Sequence, residues 1–355
     1  MFDIKRYDKN TDREAWNAFV ALSKNGTFLF DRSYMDYHSD RFKDHSLMFY
    51  LNGKLYAVLP ANINGDAIQS HMGLTYGGLV MGIDASAARI ITLFQELNAY
   101  LAAQGIRHML YKCVPWVYHL MPAEEDLYAI FRTCDAHLAA RDIGTVIDMG
   151  HPLQWSYMRR RAFKRAVANG VTVKKSNNFA DFWQILSENL SQKYGVKPVH
   201  SLQEIELLAS RFPDNIALYC AYKDGRTVAG IVVYATEQVV HTQYIAANPE
   251  GKRWGAIDAI CDCLLNQDYA DCRYCYTLNT RSFTPFPIRT VRPIHTIFAE
   301  QAYCLCPADY PPILIKQAFY PPCKNTLLSE DTPLFANTRP IKIVFSILKS
   351  KICVI

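Results

Sequence analysis

Residues 49–59 read FYLNGKLYAVL, and residues 220–231, about 170 positions later, read CAYKDGRTVAGI. In each stretch an Asn-Gly or Asp-Gly pair separates two apolar runs, which is the pattern of a β-hairpin with a two-residue turn. Each hairpin pattern is followed by a further strand that contains a histidine, by glycines and by an amphipathic helical pattern. A supersecondary unit that occurs twice predicts a duplicated domain of the α/β (α+β) class.

The composition is that of a globular protein with two domains. The chain has 355 residues, half of them apolar and a fifth charged. The net charge of +5 permits an anionic ligand but does not by itself indicate nucleic acid. The first residues are charged and lack the apolar segment of a signal peptide, and no apolar run approaches the ~18 residues that span a bilayer. We therefore expect a cytoplasmic protein.

The cysteines do not predict a disulfide framework or a metal site. There are eleven of them, an odd number, in a chain expected in the reducing cytoplasm. Cys272 and Cys275 form one C-x-x-C pair, but a zinc site needs a second properly spaced pair. We expect buried or incidental thiols and no metal.

The order of predicted elements is the same in both halves: helices, a hairpin, a third strand, a glycine-bearing turn and a helix. Each half has one candidate helix-capping box, at residues 11–14 and 201–204. The patterns predict helices at residues 11–23, 32–42, 90–101, 123–132, 157–168, 179–190, 201–212 and 256–264. Outside the hairpins they predict strands at residues 67–72, 108–113, 144–149 and 239–247. We predict an N-terminal domain at 1–150 and a C-terminal domain at 151–275.

The remaining residues, 276–355, differ in composition from the body. All 16 glycines lie at or before Gly255, whereas ten of the 17 prolines lie after Tyr276. This pattern predicts an irregular, Pro-rich and poorly packed tail, in which only residues 341–348 could form a strand or short helix. A shifted reading frame would explain the change. So would a divergent extension that covers a sheet edge or contacts a membrane-bound partner through residues 341–355.

The turn at residues 248–256, NPEGKRWGA, is a candidate phosphate site because it follows a predicted strand and opens a helix. Backbone amides at a helix start, with glycines that allow close approach and cations beside them, can hold a phosphate. The alternative is an ordinary turn between a strand and a helix, and the spacing is not that of a P-loop. The candidate residues are Gly251, Lys252, Arg253, Trp254, Gly255 and Ala256.

A basic helix opens the second half of the chain. Seven cations follow one another without an intervening acid: Arg159, Arg160, Arg161, Lys164, Arg165, Lys174 and Lys175. A solvated helix face is the ordinary interpretation of such a run. An anionic partner is the functional one, and a nucleotide-linked sugar, lipid headgroups or an RNA backbone would each fit. Arg161 and Arg165 are our candidates for substrate contacts.

Two histidines are candidate general bases. His200 precedes a capping box, and His241 lies in the strand beside the candidate phosphate site. A neutral histidine can take the proton from an attacking amine or hydroxyl group. A buried structural histidine is the alternative for each, and His71 occupies the equivalent strand of the first repeat. Tyr76, Gly77 and Gly78 are candidates for an acceptor cleft between the domains, or else a tight turn that needs glycine.

Several stretches, in order along both halves, resemble the double-GNAT, FemAB-like proteins. The strand, turn and helix at residues 239–264 also resemble the coenzyme A pyrophosphate loop of the GNAT acetyltransferase superfamily. The matching stretches are GTFLFDR (26–32), LTYGG (74–78), KPVHS (197–201), RFP (211–213) and HTQYIAA (241–247). The resemblance covers about residues 1–275 and implies two tandem GNAT-like (acyl-CoA N-acyltransferase) domains.

The resemblance implies an acyltransferase of cell-envelope polysaccharide biosynthesis. The expected donor is acetyl-CoA, held at residues 251–256, and the expected acceptor is an amine or hydroxyl group of a nucleotide- or lipid-linked sugar. Catalytic roles fall on His241, Gln243 and His200, with positioning and backbone amides supplying most of the rate. One alternative is a tRNA-dependent aminoacyltransferase of peptidoglycan precursors. Another is a non-catalytic double-GNAT binding protein.

Overall fold

The computed structural model describes residues 1–152, 154–277 and 296–307. The described part alternates helices and strands along its whole length. The helices are α1 (Arg13–Leu22), α2 (Arg32–Met35), α3 (Ala87–Ala103), α4 (Glu125–Thr133), α5 (Tyr157–Ala168), α6 (Phe179–Tyr194), α7 (Leu202–Arg211), α8 (Pro249–Trp254) and α9 (Ala256–Cys263). The first-half strands are β1 (Asp3–Arg6), β2 (Leu47–Leu51), β3 (Lys54–Leu59), β4 (Asn62–Asn64), β5 (Ala67–Gln69), β6 (Val80–Met81), β7 (His108–Lys112) and β8 (His137–Asp148). The later strands are β9 (Thr172–Ser176), β10 (Ile216–Lys223), β11 (Arg226–Ala235), β12 (Val239–Ala247), β13 (Tyr274–Thr277) and β14 (Thr296–Pro307).

Both hairpins form where the sequence predicts them, and they share their irregularities. The turn residues Asn52 and Gly53 have φ of 52° and 77°, and Asp224 and Gly225 have φ of 50° and 75°. Positive φ at both central residues is the turn that matches the twist of a hairpin. In each hairpin a bulge falls three residues after the glycine, so that the register skips one residue of the second strand. Two hairpins with the same turn and the same bulge support a duplication.

The strands form two sheets, and the two hairpins lie in different ones. The first is a four-stranded sheet in the order β1-β2-β3-β6. The second has ten strands in the order β4-β5-β7-β14-β8-β13-β12-β11-β10-β9. The larger sheet crosses from one half of the chain to the other because β8 pairs antiparallel with β13. The predicted boundary near residue 150 therefore falls between β8 and α5 but does not separate two sheets.

The core of the second half lies on both faces of its strands. On one face, Leu218, Val232 and Tyr244 pack with apolar side chains of α6 and α7, in a cluster that continues into the first half. On the other face, Ala217 and Ile231 pack with side chains of α9 and with Ala166 of α5. Alternate residues of one strand point to opposite faces, so each strand serves both layers.

Two structural predictions are wrong in part. The first capping box does not form, because Asp12 is the residue before α1 and its side chain bonds the Asp8 amide instead. The second box forms as predicted, with Ser201 and Glu204 each accepting from the other's backbone amide. The predicted irregular tail contains strand β14, twelve residues long, which pairs antiparallel with β7 and β8. Residues 341–348, where a strand or short helix is predicted, lie outside the described residues.

Candidate active site

A narrow cavity lies where the two halves of the chain meet. The cavity volume is about 10 Å³, which is roughly the space of one water molecule. Both halves contribute to its wall. The lining residues are Phe28, Leu29, Thr75, Tyr76, Tyr118, Tyr234, Thr236, His241 and Gln243. Three of the residues predicted for the site, Tyr76, His241 and Gln243, are therefore brought together here.

His241 is held in place by a residue from the first half of the chain. It lies in β12, is 4% exposed, and its Nδ1 atom is 2.9 Å from the hydroxyl oxygen of Tyr118 in the first half. Burial lowers the pKa of His241 to about 4, and the adjacent Gln243 side chain acts in the opposite direction. The imidazole is therefore neutral at physiological pH and can accept a proton, although its basicity is low.

Strand β12 carries a bulge next to this histidine. In the register with β11, Thr242 pairs with Val233 and Tyr244 pairs with Val232, so Gln243 is an extra residue with no partner. Among the residues that the structure describes, none donates a hydrogen bond to the buried Oε1 atom of Gln243. A bulge re-aims a side chain and often lies beside an active site, and here it turns Gln243 toward the cavity.

One edge of β12 is open beyond the histidine. Among the strands that the structure describes, β12 pairs with β13 only from Val239 to His241. From Thr242 to Ala247 it pairs with β11 alone. No strand of the described residues covers that edge, although the Ala247 carbonyl accepts a hydrogen bond from the Asn189 side chain. An extended ligand can pair with an edge of this kind as an added strand does. This open edge begins at the cavity and ends where α8 begins.

The loop that carries Tyr76 is fixed by close packing. The Tyr76 hydroxyl group lies 2.9 Å from Oγ1 of Thr27, and its ring centroid is 4.6 Å from that of Tyr118. A Cβ atom at Gly77 would lie 1.6 Å from the Ser70 carbonyl oxygen, so only glycine fits there. Gly78 has a φ of 87°, which glycine adopts without strain. The glycines thus shape the loop, and Tyr76 is the part that reaches the cavity.

His200 lies near the cavity but does not line it. Its Nδ1 atom is hydrogen-bonded to the hydroxyl group of Tyr244, which is next in sequence to Gln243. Its ring stacks on Tyr37 of the first half at a centroid distance of 5.4 Å. Burial lowers the pKa of His200 to about 4. These contacts place His200 as a support behind the cavity wall.

The predicted phosphate turn is a short helix. Residues Pro249–Trp254 form α8, and the side chain of Asn248 accepts a hydrogen bond from the Gly251 amide at 2.8 Å. Gly255, with φ of 81°, separates α8 from α9 and lies against α5, so that an added Cβ atom would be 2.5 Å from the Ala162 carbonyl oxygen. Trp254 is half-buried and Ala256 is buried. Among the predicted phosphate ligands, the side chains of Lys252 and Arg253 are exposed.

The basic helix α5 does not reach the cavity. Arg161 and Arg165 are exposed and do not line it. Ala166, on the inner side of α5, packs in the cluster on the face of the sheet that α9 covers. The cavity residue Tyr234 belongs to the opposite face, together with Tyr244. The two groups of candidate substrate residues are therefore on different sides of the second-half sheet.

The described residues hold no metal centre and no membrane span. Within residues 1–152, 154–277 and 296–307, no three His, Cys, Asp or Glu side chains form a group that could bind a metal ion. In the same ranges every helix is too short or too polar to cross a bilayer.

Buried histidines make the fold sensitive to acid. Burial lowers the pKa of His38, His119, His200 and His241 from 6.5 to about 4. Between pH 6.5 and 4 the unfolded chain binds protons that the folded chain does not, so stability is full above pH 6.5 and falls below it. Well below pH 6.5, each histidine lowers the free energy of unfolding by about 1.4 kcal/mol per pH unit, and all four together by about 5.5 kcal/mol per pH unit. We expect the urea midpoint to fall sharply from pH 7 to pH 5; equal midpoints would contradict this reading.

Comparison with known proteins identifies the fold. Residues 155–267 match the family model described as an acetyltransferase (GNAT) domain. The structure of FemX aligns with a TM-score of 0.56 at 10% identity, over 84% of this chain and 96% of FemX. L-PGS from Bacillus licheniformis aligns with a TM-score of 0.53 at 11% identity, over 86% of this chain and 94% of that one. A tandem GNAT protein from the clavulanic acid biosynthesis pathway aligns with a TM-score of 0.50 at 10% identity, over 88% and 100%.

Curated protein sequences give no match to this chain. At identities of 10–11% the structural likeness concerns the fold. The repeated hairpins, the open edge of β12 and the family match agree with one another. Residues 155–267 match a GNAT acetyltransferase domain, and the described chain has the fold that FemX and a tandem GNAT protein share.

Proposed function

We propose that the protein is an acyltransferase that moves an acetyl group from acetyl-CoA to an amine or hydroxyl group of a sugar-based cell-envelope precursor. The observation that carries the proposal is the open edge of β12. It runs from Thr242 to Ala247, begins at a cavity that contains His241, and ends at the exposed cations of α8. An extended thioester, with its reactive end in the cavity and its phosphates at α8, has the shape that this arrangement fits.

The donor is held by one edge and one helix. The amide groups of the pantetheine arm pair with the backbone of β12, as a peptide pairs with a sheet edge. The phosphates meet Lys252 and Arg253. Because the Gly251 amide is already bonded to Asn248, the side-chain cations of α8 supply this contact in place of that amide.

Acyl transfer requires a nucleophile and a base that accepts the proton of the nucleophile. The acceptor nitrogen or oxygen attacks the thioester carbon, the carbon–sulfur bond breaks, and CoA leaves as the thiolate. His241 takes the proton of the acceptor and passes it to the CoA sulfur, so that CoA is released as the thiol and the imidazole is neutral again. The backbone amides of the bulge stabilise the oxyanion. Since the pKa of His241 is about 4, the imidazole is a weak base, and positioning of the two substrates supplies most of the rate.

The acceptor reaches the donor through the cavity. Its reacting group occupies the water-sized space between Tyr76 and Gln243. There its N–H or O–H group donates a hydrogen bond to the buried Oε1 atom of Gln243. The remainder of a nucleotide- or lipid-linked sugar lies outside the cavity. The resemblance to FemAB-like proteins supports a cell-envelope acceptor.

A tRNA-dependent aminoacyltransferase is the second candidate. The observation that favours it is the contact of Gly255 with Ala162, because α5 covers the start of α9 where a pyrophosphate would meet backbone amides. FemX is among the proteins with the same fold. In that case the aminoacyl ester of a tRNA replaces the thioester, and the same cavity accepts its reactive end.

Titration calorimetry with acetyl-CoA tests the donor. We expect binding by the full chain, and about tenfold weaker binding by the double variant Lys252→Ala, Arg253→Ala. Each exposed cation contributes roughly 0.5–1 kcal/mol to holding a phosphate at moderate salt. The matched control is Lys54→Ala, Arg107→Ala, which removes two exposed cations of the first half.

The outcomes distinguish the three candidate functions. Binding of acetyl-CoA that depends on Lys252 and Arg253 supports the acetyltransferase. Binding of aminoacyl-tRNA without acetyl-CoA supports the aminoacyltransferase instead. Failure to bind either donor leaves a non-catalytic binding protein and contradicts the proposal.

A further inference from the structure

Helix α5 has an inner face that belongs to the fold and an outer face that does not. On the inner face Ala166 is buried, and Arg159 bonds Asp258 of α9 at 3.0 Å. This ion pair removes Arg159 from the set of free cations. The remaining four cations, Arg160, Arg161, Lys164 and Arg165, are exposed.

The outer face combines these cations with exposed apolar side chains. Tyr157 is 68% exposed, Met158 67% and Val167 58%. Residues three or four positions apart lie on one side of a helix, so Tyr157, Arg161 and Lys164 follow one another along the middle of the face. About two thirds of the surface of Tyr157 and of Met158 is left uncovered by the described residues.

The stretch of sequence around the helix contains no acidic residue. Between Asp148 and Asp181 the chain has no Asp or Glu. Strand β9 follows α5 and adds the exposed Lys175, which pairs with Tyr219 on the sheet face that α5 and α9 cover; Lys174 pairs with Cys220 and lies on the opposite face. The result is a surface of five exposed cations with apolar side chains among them, which we call the α5 face.

We propose that the α5 face binds an anionic lipid surface. Each Lys or Arg near such a surface gains about 1 kcal/mol from the negative headgroups. Tyrosine and methionine side chains enter the boundary between headgroups and acyl chains, as they do in helices that lie flat on a bilayer. The exposed apolar side chains favour a bilayer over a nucleic acid, because phosphate contacts alone need only the cations.

The proposal is independent of the chemistry in the cavity. The α5 face lies outside the layer of α5 and α9, on the opposite side of the second-half sheet from Tyr234 and Tyr244. A chain bound through this face would still present the cavity between its two halves. The face can therefore anchor the protein whether the donor is a thioester or an aminoacyl ester.

Co-sedimentation of the full chain with vesicles tests the α5 face. The probes are vesicles of phosphatidylcholine alone and of phosphatidylcholine with 30% phosphatidylglycerol, at 0.1 and 0.5 M NaCl. We expect binding only to the anionic vesicles, lost at high salt because the charges are exposed. The triple variant Arg161→Gln, Lys164→Gln, Arg165→Gln should bind about tenfold more weakly or worse. The matched control, Lys9→Gln, Lys54→Gln, Arg107→Gln, removes the same charge elsewhere and should bind within about twofold of the native chain.

A second variant separates the apolar contribution from the charge. Tyr157→Ser, Met158→Ser keeps every cation, and we expect it to weaken vesicle binding at least threefold. All substituted positions are exposed, so the melting temperature should not change. The proposal is overturned if the native chain ignores anionic vesicles, or if both triple variants lose binding equally. It is also overturned if the native chain binds tRNA but not vesicles, and the α5 variants lose tRNA binding.

Discussion

Replacement of His241 by Gln is expected to lower the rate of acyl transfer about 100-fold. General-base catalysis by a side chain contributes about 10²–10⁴-fold, and the low pKa of this buried imidazole places it at the lower end. Glutamine is similar in size and can keep a hydrogen bond to Tyr118. The measurement is the initial rate of CoA release from acetyl-CoA in the presence of an acceptor.

Two further variants show whether the loss comes from the site. Tyr118→Phe removes the hydroxyl group that orients the imidazole, and the loss of one hydrogen bond should slow transfer about tenfold. His108→Ala changes a histidine on the surface of β7 and should leave the rate unchanged. A rate that is the same in His241→Gln and in the native chain, with the fold intact, would remove His241 from the mechanism.

Gly77→Ala is expected to lower the free energy of unfolding by about 3 kcal/mol or more. The added methyl group would lie 1.6 Å from the Ser70 carbonyl oxygen, which is backbone and cannot turn away as a side chain could. Insertion of one carbon into such a contact forces the loop and its neighbours apart. Urea unfolding followed by fluorescence measures the change.

Gly105→Ala is the matched control for that variant. Gly105 has φ of 72°, but no atom lies within 4 Å of an added Cβ atom. The cost is then the backbone strain alone, about 1–2 kcal/mol. If Gly77→Ala costs no more than Gly105→Ala, the close packing of the Tyr76 loop against Ser70 is wrong.

Local features of the fold could be predicted because local physics decides them. The Asn-Gly and Asp-Gly turns fix both hairpins through backbone conformation. The apolar spacing of α3 places Ile90, Leu93, Phe94, Leu97 and Leu101 in the core, and all five are buried. The capping box at Ser201 forms because both of its partners lie within one helical turn.

Features that depend on distant contacts could not be predicted from local patterns. The pairing of β8 with β13 joins residues about 130 positions apart, and it merges strands of both halves into one sheet.

Two local predictions are wrong because another local interaction forms instead. The capping box at residues 11–14 has the expected residue types, but the Asp12 side chain accepts a hydrogen bond from the Asp8 amide. The turn at residues 248–256 has helix-compatible residues with Asn248 before Pro249, and these form α8.

The site could be predicted in part for the same reason. The sequence points to His241 and Gln243 because they lie in the strand before the candidate phosphate turn. Tyr118 carries no such signal, since it lies 123 residues before His241 and meets it only after both halves fold. A short motif before α4, PWVYH at residues 115–119, is the sequence feature that could have drawn attention to it.

The position of a bound donor tests the central claim most directly. A crystal structure of the protein with CoA should show the pantetheine arm along the edge of β12 from Thr242 to Ala247, with its sulfur at the cavity beside His241. The phosphates should lie at Lys252 and Arg253. A CoA molecule bound in the first half, or on the sheet face that α9 covers, would contradict the account.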